Sequence, residues 1–227
     1  MRILLKLSGE VLGGAQGMGL DADTLAKFAA IIGKIAQKHE VAIVTGGGNI
    51  MRGTATKNLD RAKADQIGMM ATVVNCMTLE QHLIALGFPA CAMSPVPSLA
   101  EHYDIPAARR LLSQKTIILI AGGTSNPYFT TDSAAALRAL ELNCDLLIKA
   151  TKVDGVYDAD PNKNPNAKRF DALKFADAIA ANLGVMDLTA MVLCNENGLN
   201  LRVCAVDSLA NFDGIIDGTE RSTLVTP

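Results

Sequence analysis

Four stretches of the 227-residue chain join glycine to lysine, arginine, hydroxyl or amide side chains, the types that hold phosphate. The first reads Lys6-Leu7-Ser8-Gly9-Glu10. A lysine leaving an apolar run at a glycine turn can neutralise a phosphate while backbone N–H groups approach it. The same string also fits an ordinary turn with a solvated lysine. The second reads Thr45-Gly46-Gly47-Gly48-Asn49 and continues to Arg52 and Gly53. Consecutive glycines add no packing and cost folding entropy, so they suit a backbone that must come close to a ligand. Arg52 beside them can clamp phosphate oxygens in a fork; a flexible loop is the plain alternative. The third runs from Gly122 and Gly123 through Thr124, Ser125, Asn126, Pro127, Tyr128, Phe129, Thr130 and Thr131 to Asp132. Small, hydroxylated and amide residues there lead into a helix start, whose free N–H groups and dipole favour an anion. Tyr128 and Phe129 could pack near a base; a long capped loop is again the alternative. The fourth holds Lys149, Thr151, Lys152, Asp154, Tyr157 and Asp160 around the Asp154-Gly155 turn signal. It fits a turn that holds a nucleoside triphosphate and equally a plain exposed hairpin.

None of these is a G-x-x-x-x-G-K-[ST] loop or a G-x-G-x-x-G opening a helix, which counts against P-loop NTPases and dinucleotide dehydrogenases. No Ser-His-Asp set, Cys-His pair or metal-ligand cluster competes with them. His39, His82 and His102 share no ligand spacing, and the five cysteines include no C-x-x-C pair. Chemistry without an evident base or nucleophile suits phosphoryl transfer, where a protein mainly positions substrates and offsets developing charge. The residues alone point to a phosphoryl-transfer enzyme outside the P-loop class.

Such loops need a scaffold that brings their tips together. Strand-like runs at 3–7, 41–45, 90–93, 116–121, 145–149, 200–205 and 223–225 alternate with helix-like segments at 21–38, 62–86, 105–112, 132–140 and 186–196, and a short helix near 175–182. Runs such as Thr116-Ile117-Ile118-Leu119-Ile120 are continuously apolar, the pattern of strands buried on both faces of a mainly parallel sheet. Asp21 or Asp23 precedes one helix and Asp132 opens another, as N-caps do. The expected fold class is α/β: one three-layer αβα sandwich over residues 1–227, with ligands beyond the C-terminal ends of its strands.

Composition agrees. Hydrophobic residues make up 49% and charged residues 19%, enough for a well-buried core. A net charge of −2 lacks the basic footprint of a nucleic-acid binder. No apolar run approaches the roughly 20 residues that span a bilayer, and the scattered cysteines fit a reducing compartment. The expectation is a cytoplasmic protein with no nucleic-acid or membrane partner.

Together, Lys6–Glu10, Gly46–Gly53, Asp65 within Ala64-Asp65-Gln66-Ile67-Gly68-Met69, Thr124–Asp132 and Lys149–Pro161 resemble the bacterial UMP kinases of the amino acid kinase family. The resemblance runs from Ile3 to Thr226, and the Asn126–Asp132 and Lys152–Tyr157 runs are its most specific parts. It implies ATP and UMP as substrates, Mg²⁺ held mainly by ATP phosphates with no metal ligand assigned in the protein, and a homohexamer of dimers. The N-terminal part would mainly bind UMP and form the oligomer, and the C-terminal part would mainly bind ATP. Lys6, Leu7, Ser8, Gly9, Gly48 and Arg52 would meet ATP phosphates, and Thr151, Tyr157 and Asp160 its nucleoside. Gly47, Asp65, Thr124, Ser125, Asn126, Pro127, Tyr128, Phe129, Thr130 and Thr131 would hold UMP, with Asp65 on the ribose hydroxyls. Lys6, Arg52, Asp132 and Asp187 are the implied catalytic set, the two aspartates organising lysines and Mg²⁺ or serving as helix caps. Gly14, Ala15, Gln16, Gly17, Met18 and Gly19 resemble the loop through which GTP activates such enzymes; UTP would inhibit. Three features depart from the pattern: Ser125 replaces a usual glycine, the stretch from Arg52 to Asp60 is shorter, and Asn143-Cys144 stands where small residues are common. A kinase for an amino acid or carbamate, or a non-catalytic nucleotide sensor, would share the fold; the first would lack Asp65 paired with the Asn126–Thr131 run, the second would have lost Lys6 or Arg52.

Overall fold

The computed structural model describes residues 1–51 and 58–227. In chain order its elements are β1 (Arg2–Leu7), α1 (Gly9–Leu12), α2 (Ala22–Lys38), β2 (Glu40–Thr45), α3 (Arg61–Ala85), β3 (Ala90–Ser94), β4 (Glu101–His102), α4 (Ile105–Ser113), β5 (Ile117–Ile120), α5 (Thr131–Glu141), β6 (Leu146–Thr151), β7 (Val156–Tyr157), β8 (Arg169–Phe170), β9 (Ala172–Lys174), α6 (Phe175–Ala180), α7 (Leu188–Glu196), β10 (Asn200–Ala205), α8 (Phe212–Asp217) and β11 (Ser222–Thr226). Short 3-10 turns fill Gly14–Gln16 and Val206–Asn211.

Nine strands form one sheet in the order β4-β3-β5-β2-β1-β6-β10-β11-β9. Every pairing is parallel except β10 with β11. The central strands are apolar on both faces because both faces are covered. Ile3, Leu5 and Leu7 pack with Leu25, Phe28 and Ile32 of α2 and Cys76, Leu79 and Leu83 of α3. Leu4, Ala42 and Val44 pack against the other layer, with Leu112 of α4, Ala135 and Ala139 of α5, and Met191 and Cys194 of α7. Alternate residues of one strand thus feed two cores, giving the expected three layers.

Aspartate caps hold four helices in place: Asp21 accepts from Thr24 N at 2.8 Å, Asp60 from Lys63 N at 3.1 Å, Asp104 from Ala107 N at 2.8 Å and Asp187 from Ala190 N at 2.9 Å. Helix α5 differs from expectation. Thr130 is its N-cap, accepting from the N–H groups of Asp132 and Ser133, so Asp132 lies inside the first turn with its carboxylate free for another task. The β7–β8 pair, β4, β9 and α8 were not expected from sequence, since pieces of two to six residues show too few repeats of either period.

Gly33 of α2 marks a close contact between this helix and the turn after α3. A Cβ there would lie 2.1 Å from Cε2 of Phe88. Gly33→Ala should lower stability by about 1–3 kcal/mol in urea denaturation, overpacking outweighing alanine's helix preference. Increased stability would mean that Phe88 can swing aside.

Candidate active site

Strands β1 and β6 run parallel in a register that sets Lys6 beside Lys149. Both side chains point to the α5 face and are largely buried, at 12% and 16% exposure. Two neighbouring ammonium groups in a low-dielectric site repel unless an anion separates them. Asp132 is that anion: its Oδ1 lies 2.6 Å from Lys6 Nζ and its Oδ2 2.8 Å from Lys149 Nζ. Lys149 also donates to the carbonyl of Val185 at 2.7 Å. Burial pushes the Asp132 carboxyl upward, but Lys6 and then Lys149 outweigh it and hold its pKa below the ordinary aspartate value. Burial dominates at Lys149 and lowers its pKa despite Asp132. The node carries a net positive charge and is suited to an anion that arrives from solvent.

Of the two readings for Asp187, organising lysines and Mg²⁺ or capping a helix, the structure shows the cap. Asp187 caps α7 and accepts from Ser133 Oγ at 2.9 Å and from the Thr130 hydroxyl. It contacts no lysine through an ion pair among the described residues, because α7 aims it at the start of α5. Its work is to lock Thr130 and Ser133, and hence the turn that carries Asp132.

The two glycine turns close on each other. A Cβ on Gly9 would sit 2.3 Å from the Gly46 carbonyl oxygen, so only glycine fits between them. Gly46 N donates to Leu7 O at 2.9 Å. Leu7, expected to meet ATP phosphates, is itself wholly buried. Beneath this contact is an amide pair. Asn75 and Asn49 exchange hydrogen bonds at 2.8 and 2.9 Å, and Asn75 Nδ2 also donates to Gly46 O at 2.7 Å. Asn49 further donates to Gly19 O at 2.7 Å, while its own carbonyl accepts from Gly19 N at 2.8 Å. The glycine turn is thereby tied to the stretch from Gly14 to Gly19, whose Met18 is exposed.

A cleft of about 360 Å³ opens beside this turn, lined by Gly47, Gly48, Asp65, Thr124, Phe129 and Thr131 among others. Its far wall is the 122–130 loop. Gly122 N donates to Thr72 Oγ1 at 2.8 Å, and the buried Arg138 donates to Gly123 O at 3.0 Å. Asp65 accepts from Arg61 Nε at 2.8 Å and from Tyr128 N at 2.8 Å, joining α3 to the loop across the cleft. Burial raises the Asp65 carboxyl, but the Tyr128 N–H and Arg61 together lower its pKa below the usual value. Ser125, Asn126, Pro127 and Tyr128 form the loop's tip and do not line the cleft. Ser125 sits at φ +66° and Tyr128 at +73°, conformations that strain L-residues. Asn143 also has positive φ, +54°, which asparagine tolerates.

A second concavity of about 380 Å³ follows β6, bordered by Gly155, Tyr157, Asp160, Pro161, Leu183 and Gly184. Tyr157 donates to Asp154 Oδ1 at 2.5 Å, and Asp160 accepts from Asn162 N at 3.0 Å. Thr151, at the end of β6, is not on its wall. The Asp132 node lies between the two hollows along the chain: Asp132 follows Thr131 of the first, and the carbonyl held by Lys149 belongs to Val185, next to Gly184 of the second. Lys152 and Glu10 pair at 2.7 Å between the first and fourth glycine-bearing segments. Ser8 precedes α1 without a side-chain cap bond. Arg52 lies outside the described residues. Asn75, Arg61 and Ser133 were not singled out from sequence, and Lys149 and Asn49 stood within the candidate stretches without a role of their own. Lys149 had a signal, a lysine closing an apolar strand as Lys6 does; the buried asparagines had none.

The amino acid kinase family model matches residues 1–205. Uridylate kinase of Rickettsia bellii is 45% identical, the match covering 99% of this chain and 96% of that one. The crystal structure of UMP kinase from Ureaplasma parvum superposes with a TM-score of 0.94 at 37% identity, over 100% of this chain and 99% of the other. UMP kinase from Bacillus anthracis gives 0.94 at 33% identity, over 99% and 95%.

Asp132→Asn should leave two buried ammonium groups unopposed and cost about 3 kcal/mol. The folded carboxyl titrates below its unfolded value of 3.8, so its contribution is complete above that pH and is lost as pH falls through the folded value. The stability gap between wild type and the variant should therefore be widest above pH about 4 and close in stronger acid; a gap independent of pH would remove the ion pair from the explanation. Ser125→Gly should raise the urea midpoint slightly, relief of about 1 kcal/mol of backbone strain exceeding the added unfolded-state entropy. A lower midpoint would assign the loop's shape to the Ser125 hydroxyl, which donates to Thr124 O at 2.5 Å.

Proposed function

The chain belongs to the amino acid kinase family and, within it, to the uridylate kinases, and from that premise we propose that it transfers the γ-phosphoryl group of ATP to UMP, yielding ADP and UDP. The observation that carries this reading is the cationic Lys6–Asp132–Lys149 node, flanked along the chain by two hollows. UMP is assigned to the cleft of Gly47, Asp65, Phe129 and Thr131, with Asp65 accepting from the ribose hydroxyls. Ser125, Asn126, Pro127 and Tyr128 would close over it. The ATP nucleoside is assigned to the hollow of Tyr157 and Asp160, near Thr151, and its phosphates to the turns of Ser8, Gly9 and Gly48 beside Lys6.

In the transfer, a UMP phosphate oxygen forms a bond to the γ-phosphorus as the bond to the β–γ bridging oxygen breaks. The attacking oxygen is already ionised near neutral pH, so no general base is required. Lys6 stabilises charge on the transferred group, and Lys149 sustains the positive field from behind. Asp132 holds both ammonium groups in place, and Arg52 is assigned to the phosphate path. The carboxylates of Asp132 and Asp187 are already engaged, so the residues present fit Mg²⁺ carried by ATP phosphates rather than by a protein cage. Bound with ATP, the ion would supply positive charge against the charge that develops on the phosphates during transfer.

The same reading includes a cytoplasmic enzyme of pyrimidine nucleotide synthesis, acting as a homohexamer under GTP activation and UTP inhibition. Exposed Ile67, Met70 and Val74 on one stripe of α3 support self-association through the N-terminal part. The Asn49 bonds to Gly19 support a path from the Gly14–Gly19 loop to the glycine turn. No helix among the described residues is long and apolar enough to cross a membrane.

The test is ADP release from MgATP with UMP, CMP, dUMP or glutamate as acceptor. UMP should be selected, and Lys6→Met should lower kcat by about a hundredfold or more with the circular dichroism unchanged. Near-normal turnover in that variant would defeat the role of Lys6. Nucleotide binding without turnover in the wild type would point to a sensor.

A further inference from the structure

Another concavity, of about 310 Å³, lies on the β10–β11–β9 edge of the sheet, bordered by Arg169, Arg202, Arg221, Glu220, Ser222 and Asp171 among others. Its charges are poorly balanced. Arg169 pairs with Asp171 at 2.6 Å, but that carboxylate is 91% exposed and its field is screened by water. Arg221 pairs with Asp154 at 2.7 Å. The Glu220 carboxylate is turned to Asn211 Nδ2 at 2.9 Å and Ser208 Oγ at 3.1 Å. Arg202 has no carboxylate partner among the described residues. Its Nη1 donates to Ser222 Oγ at 3.0 Å, and its Nε is buried without a hydrogen-bond partner among the described residues. Burial lowers its pKa, the sign of a guanidinium drawn from water without compensation.

Arg169 reaches the same serine from another strand, Nη1 donating to the Ser222 carbonyl. Two guanidinium groups therefore converge on one residue of β11. Like charges brought together in a partly dry hollow raise its energy unless an anion joins them. Planar guanidinium forks match phosphate oxygens in pairs. The volume is at the low end for ligand pockets and suits a phosphate with a small body attached.

We propose that this hollow is a second anion site, in which Arg202 and Arg169 bind the phosphate of a small phosphorylated metabolite. It uses none of the residues assigned to catalysis. Arg221 connects it to the nucleotide region: Asp154 accepts from both Arg221 Nε and the Tyr157 hydroxyl. A bound anion that draws Arg221 away from Asp154 frees the carboxylate that positions Tyr157, and so reports to the hollow after β6. This coupling rests on the proposed ATP role of Tyr157; the anion site itself does not.

Calorimetric titration of the full chain, held in saturating UMP and ADP, with orthophosphate and separately with ribose 5-phosphate tests the site. About one phosphate should bind per chain, and Arg202→Gln and Arg169→Gln should each weaken it about tenfold or more, with Arg202→Lys intermediate. Lys6→Met should bind phosphate as the wild type does, which separates this site from the catalytic node. The tighter of the two ligands identifies the source, free phosphate or a sugar phosphate. Absence of binding in the wild type, affinity unchanged in folded Arg202→Lys and Arg169→Gln, or binding lost only in Lys6→Met would each overturn the proposal.

Discussion

Two lysines on adjacent parallel strands, both largely buried, share one aspartate, and the arrangement of the site follows from that constraint. Burying two cations costs more solvation than a single carboxylate returns, so the cluster keeps an unmet demand for negative charge. Any substrate bearing phosphate meets that demand. Asp132 must then be held rigidly, since a carboxylate that wandered would let the ammonium groups separate. Thr130 caps the helix in its place, and Asp187 locks Thr130 and Ser133. What sequence inspection takes for a cap at Asp132 is a charge placed inside the first turn of the helix, while two neighbours do the capping and bracing.

The glycine turns meet a different demand. Gly9 and Gly46 approach so closely that a side chain at Gly9 would strike a backbone oxygen. Such contact leaves peptide groups needing partners, and the buried Asn75 supplies one to Gly46 O while pairing with Asn49. A fully satisfied amide pair in a low-dielectric interior is stiff. It fixes the spacing between the first two glycine turns and carries that rigidity outward to Gly19. The Asp65–Tyr128 bond does the corresponding job on the far side of the cleft, where Ser125 and Tyr128 remain in strained conformations.

Much of this was legible in the amino-acid order. Continuous apolar runs marked the central strands, helical periodicity marked the longer helices, and glycine with lysine or threonine marked the loops at the strand ends. These signals are local: they depend on side-chain period and on the few residues that tolerate a given backbone geometry. The short β7, β8 and β9 strands were hidden because they are held by partners elsewhere in the chain; β9 pairs with β11.

What the tertiary structure decided was which of those residues face one another. Lys6 and Lys149 are far apart in sequence, and only the β1–β6 register makes them neighbours competing for Asp132. Asn49 and Asn75 become a pair only because α3 packs beneath the second glycine turn. Arg169 of β8 and Arg202 of β10 converge only at Ser222 of β11. The amino-acid order by itself determined the elements, the caps and the chemical class of the loops, because each depends on nearby residues. Register and burial determined the partners, and with them the charge balance of the site, because Coulomb and desolvation energies depend on distance through space and not on position along the chain.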